Sequence, residues 1–328
     1  MATMLAGAAV MDAALLLVAG NETFPQPQTR EHLIAVDIMK LEHIIVLQNK
    51  IDLVIKDKAV VTRQQEEIKK ALSAGGGQSI PIIPISAVLR YNIDVVVDYI
   101  CRIPIPQRQF TVPPYMIVIR SFDVNRPGED AETLKGGVAG GTILKGCLKV
   151  GDKIAIRPGK VTRSRRTGQP VWTEIQSNIM TLQADNNQLM YAIPGGLIAV
   201  GTKVDPQFTR SDNMVGNIIG HPDNMPPVYI RIDVKTTILK RVVGGNSQSS
   251  SNKIDGIQEG ETLLINIGST SCGGNVVRVE GKQARILLTK FVCAEIGDKI
   301  SLSRKMDRNF RLIGWGEIEA GYEEANGN

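Results

Sequence analysis

The stretch His43-Ile44-Ile45-Val46-Leu47-Gln48-Asn49-Lys50-Ile51-Asp52 decides the fold of the first third of the chain. Its apolar run is too short for an isolated helix and predicts a β-strand that is buried on both faces. Polar residues follow at once. Because ligands in open α/β sheets bind outside the carboxyl ends of the strands, the stretch predicts an α/β domain with a ligand site directly after this strand.

The residues Asn49-Lys50-Ile51-Asp52 have the chemistry to recognise guanine. An ionised Asp52 offers two acceptor oxygens, which suit the N1–H and N2–H donors on one edge of that base. Asn49 can reach the other edge, and the aliphatic stem of Lys50 can lie over the ring. The alternative interpretation is a solvated turn between a strand and a helix, with these residues present by chance.

A second pair of residues, Ser86-Ala87, follows the predicted strand Ile80 to Ile85. If that strand lies beside the first one, both loops meet at one sheet edge. We expect the Ala87 backbone N–H to donate to the guanine O6, and Ser86 to brace the loop. Two such residues carry no signal alone, but at this edge they strengthen the guanine hypothesis.

Length and composition exclude several classes of protein. A chain of 328 residues predicts two or three domains. Its four cysteines form no C-x-x-C pair and are expected to be reduced and buried, as in an intracellular protein, rather than to form disulfides or a zinc site. No apolar run reaches the ~18–20 residues of a membrane span. The apolar N-terminus lacks the basic residues of a signal peptide. We expect a cytoplasmic location and no membrane partner.

Strands and helices alternate in the first third. Ala13 to Ala19 predicts a second buried strand, and residues 1–10 the remainder of a helix. Further helices are predicted from Thr29 to about Leu41, from about Arg63 to Ser73, and from Asn92 onward. This β-α alternation indicates a parallel sheet with helices on its faces.

The pattern changes after a proline-rich linker between Ile103 and Pro114. Short apolar segments at β spacing alternate with Gly/Pro turns, which is typical of closed β-barrels. One predicted strand, Lys153 to Arg157, ends at the turn signal Arg157-Pro158-Gly159. We expect an α/β domain over residues 1–110, a first barrel over 111–221, and a second barrel with a polar C-terminal tail over 222–328. Gly244 to Lys253 is expected to be a flexible insertion.

The residues also resemble a known family, the gamma subunits of eukaryotic and archaeal translation initiation factor two, which are relatives of elongation factor Tu. The matching segments extend over nearly all of residues 1–321. They are Met1-Ala-Thr-Met-Leu, Gly7-Ala-Ala-Val-Met-Asp12, Pro25-Gln-Pro-Gln-Thr29, Leu47-Gln-Asn-Lys-Ile-Asp-Leu53, Ile119-Arg-Ser-Phe-Asp-Val-Asn125, Lys135-Gly-Gly-Val-Ala-Gly-Gly141, Pro194-Gly-Gly-Leu-Ile198 and Arg311-Leu-Ile-Gly-Trp-Gly316.

The resemblance implies a partial P-loop-type G domain followed by two β-barrels. It implies a function in translation initiation, in which a complex with GTP and initiator methionyl-tRNA is delivered to the small ribosomal subunit. The implied partners are the alpha and beta subunits of the same factor, and the implied cofactors are GTP or GDP with Mg²⁺. Asn49, Lys50, Asp52, Ser86 and Ala87 would bind the guanine base.

The sequence departs from this family in one respect. A GTPase needs a P-loop, G-x-x-x-x-G-K-[ST], whose amides and Lys hold the phosphates. Neither that motif nor the family's D-x-P-G-H occurs in the chain, and neither His32 nor His43 replaces the missing histidine. We therefore expect a truncated G domain with no catalytic or metal-binding residue, weak GTP binding and no hydrolysis. The truncation is expected to reflect a fragment, a truncated gene model or a degenerate copy.

Two other functions remain open. The barrels can form a nucleotide-independent module that docks tRNA or a subunit, or the fold can carry another cargo, as in the selenocysteine-specific elongation factor. The net charge of +5 comes entirely from residues 111–210, which hold 13 Lys/Arg against 8 Asp/Glu. A local basic cluster in this part is either a docking site or a solvated hairpin; its members are Arg157, Lys160, Arg163, Arg165 and Arg166.

Overall fold

The structure is a computed structural model that describes residues 11–39, 41, 43–54, 57–73, 80–126, 128, 134–164, 168–239, 254, 256–306 and 309–323. It divides into two compact units, one over Met11–Gln107 and one from Arg108 onward. Predictions for residues 1–10, the 244–253 insertion, Arg165 and Arg166, and the last five residues fall outside the described residues.

The first unit is the predicted α/β domain. Its elements are β1 (Ala13–Ala19), α1 (Pro27–Met39), β2 (His43–Asn49), a 3-10 turn (Ile51–Leu53), α2 (Lys58–Ser73), β3 (Ile82–Pro84) and α3 (Ile93–Cys101). The three strands are parallel in the order β1-β2-β3. Helix α2 begins earlier than the sequence predicted, because Oδ1 of Asp57 accepts the Ala59 N–H at 3.1 Å and caps the helix.

Strand β2 is buried on both faces, as its apolar run predicts. Val46 packs on one face, in a cluster with residues of β1 and α2. Ile45 and Leu47 pack on the other face, against Ile83 and Val96. The central strand therefore fixes the position of the loop that follows it.

The prediction that β1 is a buried strand is wrong for one of its faces. Leu16 and Val18 are buried, whereas Leu15 and Leu17 are exposed by 42% and 60%. Helix α3 contributes Val96 to a core cluster with residues of β2 and β3 only, so it leaves this face of β1 uncovered. Within the described residues, β1 pairs only with β2 and forms an apolar sheet edge.

The first barrel follows the linker. Its strands are β4 (Tyr115–Phe122), β5 (Val138–Lys145), β6 (Leu148–Lys149), β7 (Lys153–Arg163), β8 (Pro170–Ala184), β9 (Asn187–Leu189), β10 (Tyr191–Ala192), β11 (Leu197–Thr202) and β12 (Ile218–Gly220). Six of them close a ring in the order β11-β5-β4-β12-β7-β8, because β8 also pairs with β11. Fully buried aliphatic side chains such as Met116, Ile154 and Ile156 fill its interior.

The sequence reading of this barrel missed β8 entirely and ended β7 too early. Pro158-Gly159 was interpreted as a turn, but the strand continues through a β-bulge in which Gly159 and Lys160 both face Thr173. Gly159 has a φ of 72°, which glycine adopts without strain. The result is a long β7–β8 hairpin.

The second barrel is also closed, in the order β13-β16-β15-β14-β17-β18. Its strands are β13 (Val228–Ile238), β14 (Thr262–Ile267), β15 (Thr270–Glu280), β16 (Gln283–Cys293), β17 (Lys299–Met306) and β18 (Asn309–Tyr322). The two barrels contact each other through hydroxyl groups: Ser269 donates to the Val118 carbonyl at 2.8 Å and Thr270 to the Gly216 carbonyl at 3.0 Å. The predicted fold class, a partial G domain followed by two barrels, is confirmed.

Candidate guanine-base site

The five residues predicted to read a base lie on two neighbouring loops. Asn49 ends β2, and Asp52 lies in the 3-10 turn that follows. Ser86 and Ala87 follow β3, which pairs with β2 in the register Gln48↔Pro84. Because both strands are parallel and adjacent, the two loops emerge at the same sheet edge.

Side chains join these two loops directly. The Ser86 hydroxyl donates to Oδ1 of Asp52 at 2.6 Å. The backbone N–H of Ala87 donates to Oδ1 of Asn49 at 3.1 Å, and the N–H of Lys50 donates to the same oxygen at 2.7 Å. Each loop therefore positions the polar side chains of the other.

These bonds determine which atoms remain to face a ligand. Both hydrogen bonds that the described residues give the Asn49 side chain end on Oδ1, which leaves the Nδ2 donors for a ligand. Ser86 takes one oxygen of Asp52 and leaves Oδ2 as an acceptor. The expected bond from Ala87 to O6 stays a prediction, since in the structure this N–H donates to Asn49.

The backbone of the first loop is fixed by strand residues. Ile51 is buried, and its N–H donates to the Ile85 carbonyl at 3.2 Å. Gly20 donates to the Asn49 carbonyl at 2.7 Å. Lys50 adopts a left-handed conformation with φ of 61°, which is uncommon for a residue with a side chain and turns the chain sharply after β2. Its own side chain is exposed.

The second loop is braced around Ser86, which is 1% exposed. Ser86 and Tyr91 exchange backbone hydrogen bonds of 3.3 and 3.0 Å, and the N–H of Leu89 donates to the Ser86 hydroxyl oxygen at 3.3 Å. The Asn92 side chain, at the start of α3, donates to the Pro84 carbonyl at 2.8 Å. The loop thus closes on itself before the helix begins.

Sequence reasoning missed two glutamines that support this edge. Nε2 of Gln48 donates to Oε1 of Gln64 at 2.6 Å, and both side chains are buried. Nε2 of Gln64 donates in turn to the carbonyls of Ala19 and Glu22, at 2.9 and 2.7 Å. The network ties α2 to the ends of β1 and β2. The available signal was Gln48 itself, a polar residue inside a strand that is buried on both faces.

Comparisons with known proteins agree with this geometry. The family model "Elongation factor Tu GTP binding domain" matches residues 1–105, and "Initiation factor eIF2 gamma, C terminal" matches residues 230–318. Eukaryotic translation initiation factor 2 subunit 3 of Drosophila melanogaster is 51% identical over 324 residues, which are 98% of this chain and 68% of that protein. Subunit gamma of the same factor from Schizosaccharomyces pombe is 50% identical over 326 residues, 98% of this chain and 72% of that protein.

The chain belongs to the eIF2 gamma family. Its predicted resemblance is therefore confirmed, and so is its place among translation initiation factors.

Solved structures show the same fold at much lower identity. The elongation factor SelB of Methanococcus maripaludis, in complex with the GTP analogue GppNHp, superposes with a TM-score of 0.73 at 21% identity, over 97% of this chain and 68% of SelB. A bacterial selenocysteine-specific elongation factor gives 0.74 at 22% identity, over 96% of this chain and 46% of that one. Identity this low concerns the fold alone, whereas identity near 50% favours initiation over the selenocysteine cargo.

The structure separates the members of the basic cluster in this initiation-factor chain. Arg157 is half-buried: its Nε lies 2.6 Å from Oε2 of Glu174, and NH1 donates to the Met225 and Pro226 carbonyls at 3.3 and 3.1 Å. Lys160 and Arg163 are exposed. Arg157 is thus a structural residue and not part of a surface cluster.

The remaining sequence predictions concern thiols, histidines, metals and membranes. Cys272 and Cys293 are buried, and burial raises the pKa of their thiols to about 11 and about 12, but Cys101 is exposed, against expectation. His32 is exposed on α1, and His43 begins β2. The described residues contain no group of His, Cys, Asp and Glu that could hold a metal ion, and no described helix is long and apolar enough to span a membrane.

Proposed function

We propose that this chain acts in the cytoplasm in translation initiation, as the subunit that binds initiator methionyl-tRNA for the small ribosomal subunit. We propose also that Asn49, Lys50, Asp52, Ser86 and Ala87 bind a guanine base. The observation that carries the base site is the pair of side-chain bonds, Ser86 to Asp52 and Ala87 to Asn49, that joins two loops at one sheet edge in a chain of this family.

The polar atoms of the edge match guanine. Asp52 accepts from the N1–H and N2–H groups, and the free Nδ2 of Asn49 donates to the acceptors N7 and O6 on the other side. The Lys50 stem covers one ring face. Adenine lacks both donors that Asp52 requires, so binding it would leave a carboxylate unpaired.

The phosphate part of a nucleotide has no matching residues in this chain. The 328 residues contain neither G-x-x-x-x-G-K-[ST] nor D-x-P-G-H, and the described residues offer no metal cluster. The residues present therefore fit the base but not the triphosphate or Mg²⁺. We propose that the chain binds GTP weakly and does not hydrolyse it.

Calorimetric titrations with guanosine, adenosine and GTP test the base site. We expect guanosine to bind better than adenosine, GTP to bind about as weakly as guanosine, and Asp52→Asn to abolish the preference for guanosine. Asp94→Asn is the matched control, because Asp94 is an exposed carboxylate on α3. Submicromolar GTP affinity, or GTP hydrolysis by the purified chain, would contradict the proposed weak phosphate binding.

A second candidate function is a nucleotide-independent docking module built from the two barrels. Both barrels are closed, and hydrogen bonds link them into one unit that does not depend on the nucleotide site. We propose that they extend over residues 111–221 and 222–328 and provide the contacts with the alpha subunit and tRNA, while the beta subunit contacts the α/β domain. Initiator tRNA binding that is the same with and without GTP would favour this module, whereas binding that requires GTP would favour the nucleotide-controlled function.

A further inference from the structure

The β7–β8 hairpin extends beyond the ring of the first barrel. Within the described residues, 159–163 and 170–173 pair only with each other, whereas the lower part of β7 also pairs with β12. Val161 and Val171 are exposed by 51% and 46%. The outer part of the hairpin is therefore a two-stranded ribbon with solvent on both sides.

The base of this ribbon is fixed to the barrel. At the bulge, the Gly159 N–H donates to Oδ1 of Asn217 at 2.8 Å, and Nδ2 of Asn217 donates to the Met214 carbonyl at 3.0 Å. A Cβ on Gly159 would lie 2.5 Å from the Thr173 carbonyl oxygen, so only glycine fits. The Arg157 guanidinium lies 5.7 Å from the centre of the Trp172 ring. The ribbon thus has a defined direction.

The ribbon points away from both connections of the barrel. Tyr115 and Ala155 flank Gly220 in neighbouring strands, so the linker that enters at β4 and the chain that leaves after β12 lie at the level where β7 begins. Arg163 lies six residues beyond Arg157, which is about 20 Å at ~3.3 Å per residue. The tip is therefore at the end of the barrel opposite the connections.

The ribbon carries positive charge with no acidic neighbours in sequence. No Asp or Glu occurs between Lys153 and Thr173. Lys160 and Arg163 are exposed, and the Lys160 ammonium lies 5.8 Å from the Phe208 ring centre, which directs it along the outer surface. The sequence continues with Arg165 and Arg166, which lie outside the described residues, so the argument rests on Lys160 and Arg163.

We propose that the ribbon tip, defined by Lys160 and Arg163, contacts the phosphate backbone of double-helical RNA in the small ribosomal subunit. This inference rests on the proposed function in initiation and names one surface that carries it. An acid-free, fixed ribbon that projects from the barrel suits an extended array of phosphates. RNA duplexes are bound mainly through their shape and backbone, and lysine and arginine supply the matching charge.

Binding of the full 328-residue chain to small ribosomal subunits and to initiator methionyl-tRNA alone, measured over a range of KCl concentrations, tests this. The test variant is Lys160→Gln/Arg163→Gln. The matched control is Lys149→Gln/Lys153→Gln, which removes two exposed charges near the opposite end of β7. Circular dichroism and thermal unfolding check that both variants fold.

We expect the tip variant to bind small subunits at least about tenfold more weakly and to lower the slope of log K against log [salt] by about 2, roughly one for each phosphate contact. The control variant and the tRNA arm should be unchanged. The proposal is overturned if both variants behave alike, if the loss appears with tRNA alone, or if the tip binds isolated ribosomal proteins instead of RNA. If the unmodified chain binds neither small subunits nor tRNA, the proposed function itself fails. Binding to tRNA but not to small subunits overturns only the ribbon contact.

Discussion

The Ser86 hydroxyl donates a 2.6 Å hydrogen bond to Oδ1 of Asp52, although 34 residues separate them in sequence. This bond joins the loop after β3 to the loop after β2 and orients the carboxylate at the sheet edge. Ser86 is almost fully buried, so no water molecule can easily replace its hydroxyl.

Replacing Ser86 by alanine is therefore expected to weaken both the domain and the base site. Hydrogen bonds to charged groups contribute about 1.5–3 kcal/mol, and Asp52 keeps some exposure, so we expect a loss of about 1–2 kcal/mol in the free energy of unfolding. Urea denaturation measures this loss. Guanosine titration should show weaker binding than in the unmodified chain.

An exposed serine or threonine in the same domain provides the control. Thr23→Ala removes a side-chain acceptor that is exposed to water, and should change stability by less than about 0.5 kcal/mol. A Ser86→Ala variant that retains both full stability and guanosine preference would show that the Ser86–Asp52 bond does not organise the site.

The buried pair Gln48 and Gln64 yields a second prediction. Gln64→Leu leaves the Gln48 amide and the Ala19 and Glu22 carbonyls without their partner in a buried position, which should cost about 2–3 kcal/mol. Because both side chains belong to one network, the double variant Gln48→Leu/Gln64→Leu should lose less than the sum of the two single losses. Strict additivity in a double-mutant cycle would contradict this coupling.

The sequence predicted the base site well because its signals are local. Asn49 and Asp52 follow a strand whose apolar run is unmistakable, and the order of strands and helices places Ser86 at the same edge. The contact between Asn49 and Ala87 was not predicted, since it depends on how two loops settle against each other. The glutamine network was missed for the same reason: a buried amide is recognised only when its partners are known.

The errors in the barrels have a different physical cause. Pro158-Gly159 has the composition of a turn, yet a bulge absorbs both residues within β7 because Asn217 receives the Gly159 N–H. Arg157 was grouped with surface charges by sequence proximity, although its guanidinium is taken up by Glu174 and two carbonyls. Strand register and tertiary partners decided both outcomes, and neither is encoded in spacing alone.

A glycine in the first barrel provides a third prediction. A Cβ on Gly141 would lie 1.9 Å from the Ile117 carbonyl oxygen in the neighbouring strand. Backbone atoms cannot move aside as a flexible side chain does, so Gly141→Ala must separate β4 from β5. We expect a loss of about 3 kcal/mol or more, measured by urea denaturation.

Gly195→Ala is the control for this change, because a Cβ at Gly195 would meet no atom within 4 Å. The control should remain within about 0.5 kcal/mol of the unmodified chain. Equal stability of the two alanine variants would mean that β4 and β5 are not held at the spacing seen in the structure.

The last prediction concerns the pH dependence of the second barrel. Hydrogen bonds from Arg285, at 2.7 and 2.8 Å, lower the pKa of Asp233 below its ordinary value of 3.8, and the Tyr322 hydroxyl adds a third bond at 3.1 Å. A carboxyl group with a lowered pKa in the folded state stabilises the fold above its unfolded pKa and loses this contribution as the pH falls through the folded pKa. The difference in unfolding free energy between the unmodified chain and Asp233→Asn should therefore be constant from pH 5 to 7 and shrink steadily below about pH 4, as chemical denaturation at each pH can show. Asp94→Asn, which removes an exposed carboxylate of the α/β domain, should show no such trend. A difference that stays constant down to about pH 2 would mean that the ion pair with Arg285 does not stabilise the barrel, and that Asp233 matters only through the shape of its side chain.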